Sequence, residues 1–407
     1  MASVHPHRRH EFGLEGRLRK IAQTVRWWME GAPGRYSRRQ YLKLYHSGQF
    51  EEAAVALRTA LQATPNDFQL MFQVASLSRF GLLPLDESLL LLQRIVAEAP
   101  SVTARHAAIH LVNLLWERKG ANAAMEWLPR LIQEGERSPR LLLRAAALAH
   151  EAGETKDAFD LLVQVGRKRP SALSSMGYLD LILAAAEDGA AKLPQAERAR
   201  VVANHLSRFT GRFTQMIERS AGNVAVVANG PSLERLRLGS TIDLHQLVVR
   251  FNNHAACPGS VDQGEKTDIW IRPPEFTYVP MRSMTADGLL ILTGSNIRNR
   301  NSTGLHLLEP YVRENLPIEL VPKELYARLF AALDASPSAG LVGLVWTQEA
   351  MGRTLSSTQV FGYALDRNTS AVSHYHGKHH TGSWPSRHNW QAEHALFQSL
   401  INRGTSA

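Results

Sequence analysis

Residues 224–270 read VAVVANGPSLERLRLGSTIDLHQLVVRFNNHAACPGSVDQGEKTDIW, and here the pattern of the chain changes. Residues 223–228 (NVAVVA) form a short β-branched apolar run, the signature of a buried strand. Asn229-Gly230-Pro231-Ser232 is turn chemistry, and 233–238 is expected to open a helix. Strand, tight turn and helix start make the beginning of a βαβ unit. Such a turn aims backbone N–H groups and a helix dipole at one point, which suits a phosphate. Downstream, 247–251, 267–271, 289–293 and 358–363 read as further strands of the same sheet. Helical patterns at 323–333, 340–351 and 390–401 interleave with them. Residues 221–407 are therefore expected to form a Rossmann-like α/β domain. Neither GxGxxG nor GxxxxGK[ST] occurs, so the pattern by itself names no ligand.

Upstream, residues 36–215 are helical and repetitive. Gly48, Gly81, Gly120 and Gly153 each sit in a turn before an amphipathic run ending near Pro65, Pro100, Pro139 and Pro170. The glycine spacings are 33, 39 and 33, close to the ~34-residue period of a tetratricopeptide helix pair. GQFEEAAVALRTALQATPND and GETKDAFDLLVQVGRKRPSA share Gly, then Ala53 or Ala158 five on, then Pro seventeen on. Small residues there let paired helices approach, and proline ends the second helix. These copies resemble the tetratricopeptide family, which implies an α-solenoid. Two uses stay open: a groove for a protein partner, or a scaffold packed on the α/β domain.

The 407 residues are 44% hydrophobic and 20% charged, with 46 Lys+Arg against 37 Asp+Glu. Of the formal +9, six charges belong to residues 1–40. A basic end on a near-neutral body points to an attachment segment and away from nucleic acid. Leu14, Leu18, Ile21, Val25 and Trp28 fall on one helical stripe with basic residues off it. The segment 1–35 is thus expected either to contact an acidic membrane through residues 14–30 or to pack on the next domain. The single Cys257 excludes an internal disulfide and favours a reducing compartment. No apolar run spans a bilayer and the N-terminus lacks an apolar signal core, so a cytoplasmic protein is expected, peripheral at the inner face of the cytoplasmic membrane if residues 14–30 contact it rather than pack on the next domain. Collagen, disulfide mini-protein and integral membrane protein are excluded.

The stretch 224–270 also resembles the large sialylmotif of family 29 glycosyltransferases. Its matching positions are Asn229, Ile242-Asp243, Val248, Arg250, Asn252, Gly264, Lys266 and Thr267. Ser336-Pro337-Ser338-Ala339-Gly340 resembles the small motif P-S-T-G, and Val360-Phe361-Gly362-Tyr363 its V-Y-G-F end. His374-Tyr375-His376 resembles the third motif, and His388 with Glu393 the very small motif, H-x4-E. Four motifs stand in family order over about residues 223–400, while the first 220 residues lie outside the likeness.

The resemblance implies a variant GT-A fold and an inverting transferase that needs no metal or other cofactor. It implies a CMP-linked acidic sugar as donor, sialic acid or Kdo, and a glycan as acceptor. His388 matches the general base, a role suited to an imidazole with an ordinary pKa near ~6.5. Asn229 and Asn252 match asparagines that hold the nucleotide phosphate and ribose. Ser338 and Gly340 match the cytidine side. His374, Ser338 and the turn N–H groups at Gly230 and Ser232 are the candidate donors to the departing phosphate. The helical repeats and basic end suggest a bacterial cell-envelope or capsular glycan.

The sequence departs from the family at several points. Val224 and Leu355 stand where vertebrate members carry a disulfide, Ala339 replaces the motif threonine, and His376 the second tyrosine. His374, His376, His379, His380 and His388 have a composition that can bind a divalent ion, but HYHGKHH reads as loop and no DxD pair is present. No metal site is expected. The rival reading is a non-catalytic scaffold whose helical repeats bind a partner beside a degenerate transferase domain.

Overall fold

The computed structural model describes residues 40–41, 43–44, 47, 49–80, 82–129, 139–189, 192–252, 261–274, 284–363 and 388–402. The basic segment 1–35, Gly48, Gly81, Cys257, His374, His376, His379 and His380 lie outside them.

Helices α1 (Phe50–Ala63), α2 (Phe68–Ser76), α3 (Leu85–Glu98) and α4 (Ser101–Lys119) pack consecutively. They are followed by α5 (Pro139–Glu151), α6 (Thr155–Lys168), α7 (Leu179–Asp188) and α8 (Ala196–Ser207). Helices α5 and α6 pack as a pair, as do α7 and α8. Asp67 caps α2 by accepting from the N–H groups of Gln69 and Leu70, both at 3.0 Å. Gly120 and Gly153 turn the chain at φ +88° and +91°. Among the described residues no helix is long and apolar enough to cross a membrane.

After α9 (Arg212–Arg219) the chain enters a parallel sheet of β1 (Val224–Val227), β2 (Leu247–Phe251), β3 (Ile269–Arg272), β4 (Leu289–Leu292), β5 (Ile318–Leu320) and β6 (Val360–Phe361). Its order is β5-β4-β3-β2-β1-β6. The connecting helices are α10 (Gly239–Asp243), α11 (Gly304–Arg313), α12 (Lys323–Leu333) and α13 (Ala339–Met351), and α14 (Trp390–Asn402) follows the sheet. The strands alternate faces with period two. Val224, Val226, Val249, Ile269, Ile271, Leu289 and Ile291 bury one face against α9, α12 and α13. Trp270, Leu290, Leu292 and Ile318 share the other with α11 and with the core of α3–α8. Ala225, Val227 and Val248 meet Leu233 and Ile242 in a smaller cluster. Val224 and Leu355 are both fully buried in the first cluster, so apolar packing stands at these two positions.

Polar groups fasten the helical region to the sheet. Asp180 accepts from Arg298 Nε at 2.6 Å and Asn299 Nδ2 at 3.1 Å. Arg198 forks onto Glu309 with two 2.6 Å bonds. Glu319 of β5 accepts from the N–H groups of Gly211 and Phe213, at 2.6 and 2.8 Å, and so caps α9.

The sequence reading misses β5 and α11. A three-residue strand with a central Glu319 shows no apolar run, and Pro310 inside α11 breaks the helical pattern. It also errs at 233–238, which is not helical. Pro231–Leu233 is a single 3-10 turn, and the N–H groups of Arg235 and Arg237 point to the Asp262 carboxylate at 3.0 and 2.8 Å. Both residues hold positive φ, +65° and +54°, which ends any helix.

Gly343 brings α13 onto the sheet. A β-carbon there would sit 2.4 Å from Phe251 Cε1 and 2.8 Å from Ile271 Cδ1. Gly343→Ala is therefore expected to destabilise the protein by about 1–2 kcal/mol, since overpacking outweighs the helix-propensity gain of about 1 kcal/mol. Urea unfolding measures it; a variant as stable as the parent contradicts this packing.

Candidate functional site

β1 lies between β2 and β6, so the chain leaves it in one direction and returns on the other side. In open α/β sheets, ligands bind beyond the carboxyl ends of the strands at such a switch. Asn229, Gly230, Asn252 and Tyr363 follow the ends of β1, β2 and β6. Helix α13 runs into β6 from the opposite direction, which brings its N-terminus, with Ser338 and Gly340, to the same edge.

These residues are joined by short bonds. Asn229 Nδ2 donates to the carbonyl of Phe251 at 2.8 Å. Asn252 adopts φ +51°, its N–H reaches Ile271 O at 2.9 Å and its carbonyl accepts from Trp270 Nε1 at 2.5 Å. Gly230 N–H donates to Gly362 O at 2.8 Å, extending the β1–β6 pairing. It is thus spent on the sheet, and with no helix at 233–238 the turn lacks the dipole expected of it. Ser232 sits in the 3-10 turn with its side chain exposed. Tyr363 donates to Gly340 O at 2.8 Å and stacks on Phe397 at 5.0 Å. Burial, with Glu393 nearby, pushes the Tyr363 phenol well above its ordinary range, so it stays a donor.

The second group forms where 336–340 meets the start of α14. Asn389 caps α14 by accepting from Ala392 N–H at 3.1 Å, which places His388 just before the helix and Glu393 in its first turn. Glu393 is 2% exposed and accepts from Ser338 twice, from N–H and from Oγ–H, each at 2.7 Å. Ser338 Oγ also accepts from Leu341 N–H at 3.2 Å and caps α13. His388 Nδ1 lies 2.7 Å from the Ser336 carbonyl and 3.8 Å from Glu393 Oε1. A carbonyl only accepts, so Nδ1 carries the proton and Nε2 is left as the basic nitrogen.

The structure thus brings His388, Ser338 and Gly340 together, links Asn229 and Gly230 to them through β6 and Tyr363, and puts Asn252 at the neighbouring strand end. His374 lies outside the described residues, and among those residues no group of three or more His, Cys, Asp or Glu could hold a metal. Sequence reasoning named Ser336 and Tyr363 as motif positions but gave neither a role in the site. Ser336 acts through its main chain, which no side-chain pattern reveals.

Burial raises the Glu393 carboxyl from 4.5 to about 7, against the two bonds from Ser338, which lower it. The folded protein therefore prefers the protonated form, and that preference is lost as pH rises through about 7. Relative to Glu393→Gln, which cannot titrate, the wild type is expected to lose about 3 kcal/mol of stability between pH 4.5 and 7.5. Paired urea titrations across that range check it; parallel curves refute it.

No curated protein matches the chain. One family model does, over residues 192–287, a segment that begins at α8, runs through β1, β2 and β3 and contains Asn229, Gly230, Ser232 and Asn252. That model is glycosyltransferase family 29 (sialyltransferase), and over these residues the chain carries a sialyltransferase-like glycosyltransferase domain.

Proposed function

We propose that this domain transfers an acidic sugar from a CMP-activated donor, CMP-sialic acid or CMP-Kdo, to a hydroxyl of a cell-envelope or capsular glycan. The transfer inverts the anomeric centre, needs no metal, and uses His388 as general base. The observation that carries the reading is the 2.7 Å contact from His388 Nδ1 to the Ser336 carbonyl. It fixes one tautomer on a ring whose side chain is about one-third exposed (32%), as a base that meets an acceptor from solvent requires.

In one displacement the acceptor oxygen bonds to the anomeric carbon and its proton passes to Nε2. The bond from that carbon to the phosphate oxygen breaks, and its electron pair leaves with CMP. The phosphate gains charge and needs fixed donors. Ser338 Oγ–H is already given to Glu393. That role falls in this reading to His374 and to the N–H groups of Ala339 and Gly340, which have no carbonyl partner within α13. Asn229 and Asn252, at adjoining strand ends, are assigned to the nucleotide. The setting proposed with this chemistry is the inner face of the cytoplasmic membrane, with residues 14–30 as the contact.

The test is CMP release from CMP-sialic acid and CMP-Kdo, with UDP-sugars as controls, in the presence of EDTA. Turnover of one CMP-sugar undiminished by EDTA is expected. Hydrolysis of neither donor, with no CMP binding by calorimetry, refutes the reading.

A further inference from the structure

The segment that orients His388 is held from a second side, by the helical region. Helix α12 ends at Leu333, and Asp334 turns the chain at φ +46°. Along 333–338 the start of α14 and the two residues before it take three holds: Asn389 Nδ2 on Leu333 O at 3.1 Å, His388 on Ser336 O, and Glu393 on Ser338. From the helical region comes Arg118, in the last turn of α4. Its side chain is 5% exposed, and its guanidinium carbon lies 4.1 Å over the Phe330 ring, one turn before Asp334. Nη2 donates to Ser78 O at 3.2 Å, and Nη1 is 3.6 Å from Asp334 Oδ1. A cation at the carboxyl end of α12 also suits that helix's dipole.

The Asp334 side chain is 64% exposed, so its charge alone contributes little. The hold comes from the buried planar guanidinium, seated on Phe330 and tied back to Ser78. Other ion pairs across the same boundary lie elsewhere: Asp180–Arg298 and Arg198–Glu309 toward α11, and Lys323–Glu151 at the start of α12.

We propose that Arg118 is a positioning residue for His388: through it the helical region fixes segment 334–338 and the Ser336 carbonyl that orients the imidazole. The inference rests on His388 as the base. It makes the helical region part of the site's architecture and not only a docking surface. Losing Arg118 frees Asp334 and Ser336, while Glu393 still grips Ser338. The defect therefore falls on the orientation of His388 and spares the donor side.

The full-length protein is compared with Arg118→Met, which keeps the aliphatic bulk, and with Arg118→Lys, which keeps the charge. With whichever CMP-sugar the wild type uses, Arg118→Met is expected to lower kcat at least about tenfold with donor KM within about twofold. Arg118→Lys is expected to fall between it and the wild type. Hydrogen exchange is read in parallel on the same proteins. In Arg118→Met, peptides covering 333–342 and 388–396 exchange about tenfold faster, while those covering 139–168 do not change. An unchanged kcat, or faster exchange that stops at α12, overturns the proposal. If the wild type turns over no CMP-sugar, the catalytic reading fails and exchange alone decides. If Arg118→Met does not fold, Arg118→Lys is judged by the same two measurements, with smaller changes in the same peptides required.

Discussion

Replacing His388 with asparagine is expected to lower kcat for CMP-sugar turnover by about 10²–10⁴-fold, the range for loss of a general base. Asparagine is the informative choice because its amide can still donate to the Ser336 carbonyl, 2.7 Å from Nδ1 in the parent. The anchor survives and the basic nitrogen is removed. The side chain is part-exposed and outside the apolar clusters, so the thermal midpoint and the circular dichroism spectrum are expected to match the parent. The donor KM is expected to stay within about threefold, since the base meets the acceptor and not the nucleotide. Steady-state CMP release with both measurements decides it. A His388→Asn variant retaining even a third of wild-type kcat removes His388 from the chemistry.

The second large effect concerns stability. Arg250→Ala is expected to destabilise the fold by about 3–5 kcal/mol, the usual result of removing one partner from a buried charged network. Arg250 is 1% exposed. Its Nε donates to Lys266 O at 2.8 Å and its Nη2 to Gln263 O at 2.7 Å, and Asp243 Oδ1 lies 3.6 Å away. Asp243 in turn accepts from the N–H groups of Glu265 and Lys266, at 2.8 and 3.0 Å. Burial brings the guanidinium down to about 10, partly offset by Asp243 and Asp268, so it remains a cation at neutral pH. Alanine would leave the buried Gln263 carbonyl and the part-buried Lys266 carbonyl without this donor and Asp243 without its cation. Urea unfolding measures the loss. In the cold, where the variant is still folded, kcat is expected to remain within about threefold of the parent. A large fall in kcat with unchanged stability contradicts the structural role.

These two residues show how far the sequence could be read. Asp243, Arg250 and Lys266 matched a motif associated with donor binding, and the structure uses all three to fasten residues 263–266, ahead of β3, to β2 and the residues before it. Lys266 Nζ, for example, ties back to the carbonyls of His245 and Gln246 at 2.7 and 2.8 Å. A motif records which residue types must be present, but it does not separate those that touch a ligand from those that shape the place where it sits. The strands were legible because β1 and β4 are wholly apolar and β2 and β3 are apolar but for one arginine each, Arg250 and Arg272. β5 was not, because its central Glu319 serves as a cap for α9 across the fold. The spacing from His388 to Glu393 was legible as a pair but not as a geometry. The two do not face each other along one helix, since Asn389 begins α14 between them, and they meet through 336–338, over fifty residues earlier. Arg118 carried no signal at all, because its partners Phe330 and Asp334 come from a distant part of the chain.

The apolar cluster running from α3–α8 onto Trp270, Leu290, Leu292 and Ile318 has a consequence for how the protein melts and how it can be cut. A chain divided near residue 220, where the pattern changes, would expose that whole sheet face to water and invite association. The change of pattern is therefore not a seam between independent folding units. Heating should melt the helices and the sheet together in one calorimetric transition, and protease nicks near 220 should unravel both halves.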